Sequence, residues 1–377
     1  MAEQAYTREF VGLPSPAGFP QAAHGAHPLQ GFYYTPRGRP RPQVAFIAVH
    51  YNVDFSEHYL GPYLAERGFG FLGWNTRFRG NEMYFVLDHA VAEVGAGVRW
   101  LRRQAGAGQV VLLGNSGGGS LLPTYQAQAT DQTLTPTPGG RLTPAALDLD
   151  PGDLLVTLTA HPGRPDLNVS CIDPSVTDES DPLSRDPELD MYHPDNQPPY
   201  SPQFQRRYRQ AQLDRNRRIS QWAVAELERI RADGGPARDR LFVVPRLWAD
   251  LRFTDPAIEP SGRAPNQCWL GDPRRANESV LGIGTVNTLR TWLSMWSIDH
   301  AQCRLSLQGP QVRIPSLVIH GLRDTGVFES DARTIYDSLA SEDKSLVLAD
   351  TDHYLTEPEK FRDEAADMIA DWVRERC

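Results

Sequence analysis

Short, uninterrupted apolar runs recur along both ends of the chain and alternate with longer amphipathic stretches. Runs of this kind, several of them rich in β-branched residues, are typical of strands buried on both faces of a parallel sheet. We predict such strands at residues 44–50, 69–74, 109–113, 154–160, 314–320 and 345–349, with two earlier strands at 8–14 and 29–35. Helical spacing of apolar residues predicts helices at 56–67, 86–104, 329–340 and 358–376. The alternation indicates an α/β fold with a mostly parallel sheet and right-handed crossovers.

The alternation stops in the middle of the chain. Residues 172–202 are rich in Asp, Pro and Ser and are predicted to form a long loop. Two amphipathic helices are predicted after it, at 201–233 and 284–298, and the first half of the earlier one is rich in arginine. That basic stretch is interpreted as a solvated face, with attraction of an anionic substrate as the alternative. One sheet domain, residues 1–163 and 310–377, is therefore predicted to be interrupted by a largely helical insertion at 164–309.

The strand at 109–113 leads directly into a glycine-rich turn that carries one serine. Gly114, Ser116 and Gly118 fit the pattern Gly-x-Ser-x-Gly. A serine at a sharp strand-to-helix turn adopts a strained backbone conformation that exposes its hydroxyl above the sheet edge. The flanking glycines allow the strand and helix backbones to approach closely, and the helix start directs free N–H groups at an oxyanion. Phosphate binding by the same turn is a weaker alternative, because no Gly-Lys-Ser/Thr follows.

Composition and charge narrow the range of partners. The 377 residues are 40% hydrophobic and 23% charged, as in a globular protein, and the net charge of −9 argues against nucleic acid as the main partner. No apolar run approaches the ~20 residues of a membrane span, and the first ten residues lack the apolar core of a secretory signal. The four cysteines have no CxxC spacing and are interpreted as free thiols. We therefore expect a cytoplasmic protein without a metal or cofactor; homo-oligomerisation stays open.

Several short motifs, in the same order along the chain, resemble those of the α/β-hydrolase fold superfamily. Ser116 matches the nucleophile of its Gly-x-Ser-x-Gly elbow. Asp324, in His-Gly-Leu-Arg-Asp-Thr-Gly-Val, resembles the acid that follows a later strand, and His353 follows the last strand where that superfamily has its catalytic histidine. The segment from Val49 to Asn52 resembles the loop that supplies an oxyanion donor, and Arg79-Gly80 resembles the pair after the fourth strand. The resemblance implies an α/β-hydrolase sheet flanked by helices, with a cap inserted after the sixth strand.

Two departures leave assignments open. Tyr51 stands where the superfamily has glycine after His50, so the second oxyanion donor is the backbone N–H of Asn52 or of Tyr51, beside that of Gly117. Asp350 and Asp352 lie close to His353 in sequence. We favour Asp324 as the acid, because a residue at the end of a separate strand can approach the imidazole from behind.

The resemblance implies acyl transfer through a covalent serine ester formed by Ser116, His353 and Asp324. We expect a serine hydrolase of carboxylic esters or thioesters, acting on a small to medium apolar or aromatic substrate. An acyltransferase and a carbon–carbon bond hydrolase are alternatives on the same residues, and a non-catalytic binding protein is a third. Five of the eight tryptophans lie in the insertion. His50, Trp292 and Trp296 are predicted to line the substrate pocket.

Overall fold

The computed structural model describes residues 5–18, 25–181, 183–280 and 282–377. Most strands belong to one twisted sheet, and two short ones form a separate antiparallel ribbon. The strands are β1 (Tyr6–Leu13), β2 (Leu29–Pro36), β3 (Val44–Val49), β4 (Gly70–Asn75), β5 (Gln109–Asn115), β6 (Leu154–Leu158), β7 (Leu241–Val243), β8 (Val286–Thr288), β9 (Ser316–Gly321) and β10 (Lys344–Ala349). The ribbon is β7 with β8.

The large sheet has eight strands in the order β1-β2-β4-β3-β5-β6-β9-β10. Within this sheet, the neighbouring strands β4, β3, β5, β6, β9 and β10 are all parallel, whereas β2 runs antiparallel to both β1 and β4. The predicted mostly parallel α/β fold is thus confirmed. Strand β3 lies between β4 and β5. The chain first adds β4 on one side of β3 and then crosses over to add β5 on the other side. Such a reversal opens a crevice at the carboxyl ends of β3 and β5, where ligands bind in open α/β sheets.

Helices cover both faces of this sheet. They are α1 (Leu60–Glu66), α2 (Leu87–Trp100, extended by a π turn at Leu101–Ala105), α3 (Gly118–Asp131), α4 (Arg164–Cys171), α5 (Pro202–Asp233), α6 (Pro273–Glu278), α7 (Leu289–Thr291), α8 (Leu305–Gln308), α9 (Glu329–Ser338) and α10 (Phe361–Arg374). Leu64 of α1 and Ile369 of α10 are buried in one apolar cluster with strand residues. Val94 of α2, Leu121 of α3 and Ile335 of α9 belong to a second cluster. The two clusters are the cores of the two sides of the sheet.

After β6 the chain leaves the sheet, forms α4 and α5, and returns at β9. The predicted helical insertion after the sixth strand is confirmed, while its exact limits at 163/164 and 309/310 stay predictions. The single helix expected over 284–298 is wrong in its first part. Val286–Thr288 forms β8 because it pairs with β7, and only a short α7 with a π turn at Trp292–Trp296 follows. Helix α4 was not predicted; it begins at Arg164 with Pro165 in its first turn, a favourable position for proline.

The arginines of α5 are largely engaged within the protein. Arg215 is completely buried, and its guanidinium is paired with Glu179 at 2.6 Å. Arg209 pairs with Asp250 at 2.7 Å, and this aspartate is buried as well. The basic stretch therefore ties α5 to the loops of the insertion, so the interpretation as a solvated face is only partly right.

The four cysteines are free thiols, three of them buried. No helix within the described residues combines the length and the apolar character needed to cross a membrane.

Candidate active site

Ser116 occupies the sharp turn between β5 and α3. Its φ of +53° lies in the left-handed region, which is strained for a residue with a side chain. A Cβ on Gly114 would come 2.6 Å from the carbonyl oxygen of Gly118, and one on Gly118 would come 2.2 Å from that of Val49. Both positions require glycine because the backbones approach so closely. The turn is thus built as the sequence predicts.

Asn115 fixes the turn from within the sheet. Its Nδ2 donates to the carbonyl oxygen of Leu158 at 2.9 Å and to Thr159 Oγ1 at 3.0 Å, and its Oδ1 lies 3.2 Å from His58 Nε2. Burial lowers the pKa of His58 to about 4, so this imidazole is neutral at pH 7. The elbow pattern specifies nothing at position 115, so the sequence does not predict this role of Asn115.

Asp324 and His353 form the second part of the site. Asp324 follows β9, and its Oδ2 lies 2.5 Å from His353 Nδ1. Its Oδ1 accepts hydrogen bonds from the backbone N–H groups of Gly326 and Val327 at 2.9 and 3.0 Å. Burial alone would raise the pKa of Asp324, but the neighbouring His353 and the backbone N–H of Val327 outweigh it, so the pKa is lowered. The carboxylate is therefore ionised and can hold the imidazole in one tautomer.

The two alternative acids are engaged elsewhere. Asp350 forms a bidentate pair with Arg323, at 2.6 and 2.5 Å, on the exposed side of the loop. Asp352 accepts a hydrogen bond from the backbone N–H of Thr356 at 2.6 Å. This geometry favours Asp324 as the partner of His353.

Trp269, from the insertion, contacts both members of that pair. Its Nε1 donates to Asp324 Oδ1 at 3.2 Å, and its ring centroid lies 4.9 Å from that of His353. The ring lies directly over Gly326, where a Cβ would come within 2.2 Å of it. Residue 269 is 55 positions from the acid, and no local pattern distinguishes it from the other four tryptophans of the insertion. The sequence therefore does not predict this contact.

Ser116 and His353 line one cavity of about 480 Å³, which also reaches His50, Asn52 and His161. Within the described part of the chain, the Ser116 hydroxyl has no hydrogen-bond partner. Catalytic hydrogen bonds of this type commonly tighten only when substrate is bound. The cavity thus brings together the serine and the imidazole at the crevice predicted by the strand order. A larger cavity of about 720 Å³ lies against α5 and is lined in part by Arg218 and Trp222, away from these residues.

The backbone around His50 distinguishes the two candidate oxyanion donors. The N–H groups of Asn52 and Val53 both donate to His50 Nδ1, at 3.3 and 3.1 Å. By contrast, the N–H groups of Gly117 and Tyr51 carry no hydrogen bond to any described residue. A Cβ on Gly117 would lie 2.7 Å from His50 Nε2 and 2.8 Å from Tyr51 Cδ2, so the two loops touch. The geometry favours Tyr51 over Asn52 as the partner of Gly117.

His50 itself is a buried, neutral imidazole. Burial, followed by the positive charge of Arg164, holds its pKa well below the usual range. Its Nδ1 must act as an acceptor to receive the two backbone N–H groups, which leaves the proton on Nε2. His50 lines the cavity as expected.

The tryptophans predicted for the pocket lie elsewhere. Trp292 is completely buried inside the insertion, and its Nε1 donates to Ser220 Oγ of α5 at 2.9 Å. Trp296 packs beneath the guanidinium of Arg164 and does not line the cavity of Ser116. The expected pocket role of Trp292 and Trp296 is thus not matched by their positions, because the π turn directs both rings into the interior. Trp248 and Trp269 line the cavity instead.

The chain has no match among protein-family models, and no curated protein matches it. Among solved structures, it is similar to a truncated carbohydrate esterase from gut microbiota, with 14% identity and a TM-score of 0.50 over 99% of this chain and 98% of that one. It is also similar to DcsB, solved in complex with its substrate analogue, with 12% identity and a TM-score of 0.50 over 98% and 99%. The esterase domain of a Rhodothermus marinus protein has a TM-score of 0.47 at 12% identity over 98% of each chain. At such identities a likeness concerns the fold. Together with the sheet order and the elbow, the two structures with a TM-score of 0.50 show that the chain has the α/β-hydrolase fold.

Proposed function

We propose that this protein is a serine hydrolase of carboxylic esters or thioesters in which Ser116, His353 and Asp324 form a catalytic triad. The observation that carries the proposal is geometric. Ser116, which has a strained backbone and a hydroxyl without a partner among the described residues, lines the same cavity as the imidazole of His353. Nδ1 of that imidazole is held by the buried, ionised Asp324. Nucleophile, base and orienting acid are the three parts that acyl transfer through a covalent ester requires.

In the proposed reaction, His353 Nε2 takes the proton of Ser116 as Oγ attacks the substrate carbonyl. Collapse of the tetrahedral intermediate breaks the bond to the alcohol or thiol, which leaves with the proton from His353. Water then attacks the acyl ester on Ser116 with the same imidazole as base, and the carboxylic acid leaves. Asp324 stays ionised throughout and stabilises the imidazolium that forms twice in the cycle.

The N–H groups of Gly117 and Tyr51 would stabilise the oxyanion. Both are free within the described residues and lie on loops that touch each other. Preorganised donors of this kind contribute about 3 kcal/mol each to transition-state stabilisation.

Several side chains that line the cavity are apolar and suit the expected apolar or aromatic substrate. They are Val53, Phe55, Trp269, Leu270 and Ile283, with Tyr354 at the side of His353. Side chains of this kind exclude water from the acyl carbon and provide contact area for a ring or a short chain.

Labelling with a fluorophosphonate tests the nucleophile. We expect one equivalent of label on the intact protein, mapped to Ser116, and loss of both label and ester turnover in Ser116→Ala. Ser120→Ala is the matched control for labelling, since this serine is four residues away but fully buried and bonded to Tyr51. Stoichiometric label on another serine, or an active Ser116→Ala protein, would contradict the proposal.

A further inference from the structure

Arg164 is a buried cation at the cavity of Ser116 whose charge is not paired. It is 2% exposed, and none of the described carboxylates lies within 4.0 Å of its guanidinium. Its carbon Cζ lies 4.9 Å from the ring centroid of Tyr51 and 5.4 Å from that of Trp296, so two aromatic rings hold it in place. Its Nη2 donates to Asn52 Oδ1 at 3.3 Å, whereas its buried Nε has no partner among the described residues.

Glu82 presents the complementary group in the same cavity. Its Oε1 accepts the backbone N–H of Gly284 at 2.6 Å, while its buried Oε2 has no partner among the described residues. Burial raises the pKa of Glu82, and the positive charge of Arg164 partly offsets that effect. Arg164 and Glu82 both line the cavity that holds Ser116.

Two further polar atoms, on residues that line the same cavity, are unsatisfied within the described residues. They are Nδ1 of His161, which is 1% exposed, and Nε1 of Trp248, which is 4% exposed. Buried polar groups in proteins are nearly always hydrogen-bonded, so four unpartnered atoms around one cavity require an explanation. A bound substrate that supplies their partners is the explanation most directly tied to the position of Ser116.

The mixture of donors and acceptors defines the chemistry of that substrate. Arg164 Nε and Trp248 Nε1 can only donate, whereas Glu82 Oε2, when ionised, can only accept. A carboxylate placed here would be attracted by Arg164 but repelled by an ionised Glu82. An ammonium group would be attracted by Glu82 but repelled by Arg164. A hydroxyl group accepts and donates at once and meets neither conflict.

We infer that the substrate carries a neutral, hydroxyl-bearing group that binds between Arg164 and Glu82, while the apolar side chains of the cavity contact the rest. This inference rests on the proposed ester hydrolysis, because it concerns the same cavity. Arg164 and Glu82 are specificity residues in this view and take no part in proton transfer. The substrate is thus an ester with one apolar or aromatic part and one hydroxylated part.

Two series of matched esters test which group is recognised and on which side of the ester bond. The alcohol series is glycerol 1-benzoate, propyl benzoate and the benzoate of 3-hydroxypropanoic acid. The acyl series is methyl mandelate, methyl phenylacetate and monomethyl phenylmalonate. We expect the hydroxylated member of one series to exceed both its apolar and its carboxylated counterpart by about tenfold or more in kcat/KM.

Variants show whether the two residues cause that preference. Glu82→Met keeps the side-chain length and Arg164→Met keeps the apolar stem of the arginine, while both remove the hydrogen-bonding groups. In either one the ratio of hydroxylated to apolar ester should fall to about threefold or less. Arg217→Gln is the matched control, because that arginine pairs with Asp299 on the surface, and its ratio should equal that of the wild type. If one methionine variant fails to fold, the other carries the test.

The outcomes separate the inference from the proposed function. Turnover of the esters without any hydroxyl preference, or with preference for the carboxylated member, would overturn the inference and leave the hydrolase intact. A preference that survives in both methionine variants would do the same. Failure of all six esters together with an unlabelled Ser116 would instead defeat the proposed function, and this inference with it.

Discussion

Trp269→Phe tests whether the insertion helps to position the catalytic acid. The substitution removes the Nε1–H donor to Asp324 Oδ1 but keeps an aromatic ring over His353. Two backbone donors, from Gly326 and Val327, remain on the same oxygen. The substitution therefore weakens the positioning of the Asp324 carboxylate but leaves its charge in place.

The expected fall in kcat follows from the loss of one of the three N–H donors to Asp324 Oδ1. A hydrogen bond to a charged group contributes about 1.5–3 kcal/mol to stability, and this figure is an upper limit here because two donors remain. We expect kcat to fall by about three- to tenfold, with KM for a small ester within about twofold. Replacing the acid itself costs about 10⁴ in kcat in serine proteases, which sets the scale for a complete loss.

The pH dependence of stability provides a second readout. The pKa of Asp324 is lowered in the folded protein, so this group stabilises the fold above the ordinary aspartate pKa of about 3.9. That stabilisation is lost as the pH falls through the folded-state pKa. A donor to the ionised carboxylate acts in the same window. The loss of stability in Trp269→Phe should therefore be greatest near pH 7 and shrink below pH 4.

Steady-state kinetics at pH 7, and chemical denaturation at pH 7 and at about pH 3, below the ordinary aspartate pKa, measure the two effects. Trp222→Phe is the matched control, since Trp222 is 40% exposed on α5 and lies outside the cavity of Ser116. An unchanged kcat in Trp269→Phe, or a loss of stability that is equal at the two pH values, would show that Trp269 only fills space.

Three further predictions concern single positions. Asp324→Asn should lower kcat by several orders of magnitude in a folded protein, while Asp350→Asn should cost less than about threefold; rates in the reverse order would move the acid to the loop of His353. Gly117→Ala should reduce kcat by about 100-fold, because its Cβ would collide with two neighbouring rings beside the proposed oxyanion position; a nearly normal rate would mean that these loops separate easily. Trp292→Ala should destabilise the protein by about 3–5 kcal/mol in denaturant titrations without changing the ratio of long- to short-chain ester hydrolysis. An altered ratio would show that the Trp292 ring contributes to the substrate pocket.

The parts of the site that the sequence predicts are those with local causes. The elbow is readable because strand β5, the two glycines and Ser116 are contiguous, and close backbone contacts force each glycine. Asp324 and His353 can be predicted from the sequence because each lies a few residues after the end of an apolar strand, β9 or β10. Parallel strands place such positions at one edge of the sheet.

The rest depends on contacts between distant segments. The Trp269–Asp324 hydrogen bond and the Arg164–Trp296 contact each join residues more than 50 positions apart. The choice between Tyr51 and Asn52 depends on the orientation of the His50 ring, which takes the Asn52 N–H as a donor. No periodicity in the sequence encodes either kind of contact.

The same reason explains the error at 284–298. The spacing of Trp292, Met295 and Trp296 fits a helix, but Val286–Thr288 pairs with Leu241–Val243, more than 40 residues earlier. Tertiary pairing thus overrides a local helical pattern.

Direct observation of an acyl-enzyme tests whether Ser116 is the nucleophile. A 4-nitrophenyl ester mixed rapidly with the enzyme should release a burst of one equivalent of nitrophenolate. Acid quenching followed by peptide mass mapping should then find the acyl group on Ser116. A burst of one equivalent with the acyl mass on the peptide that contains Ser116 is the expected result. Turnover with the acyl group on another residue, or with no acylated peptide even when water attack is slowed by low temperature, would contradict it.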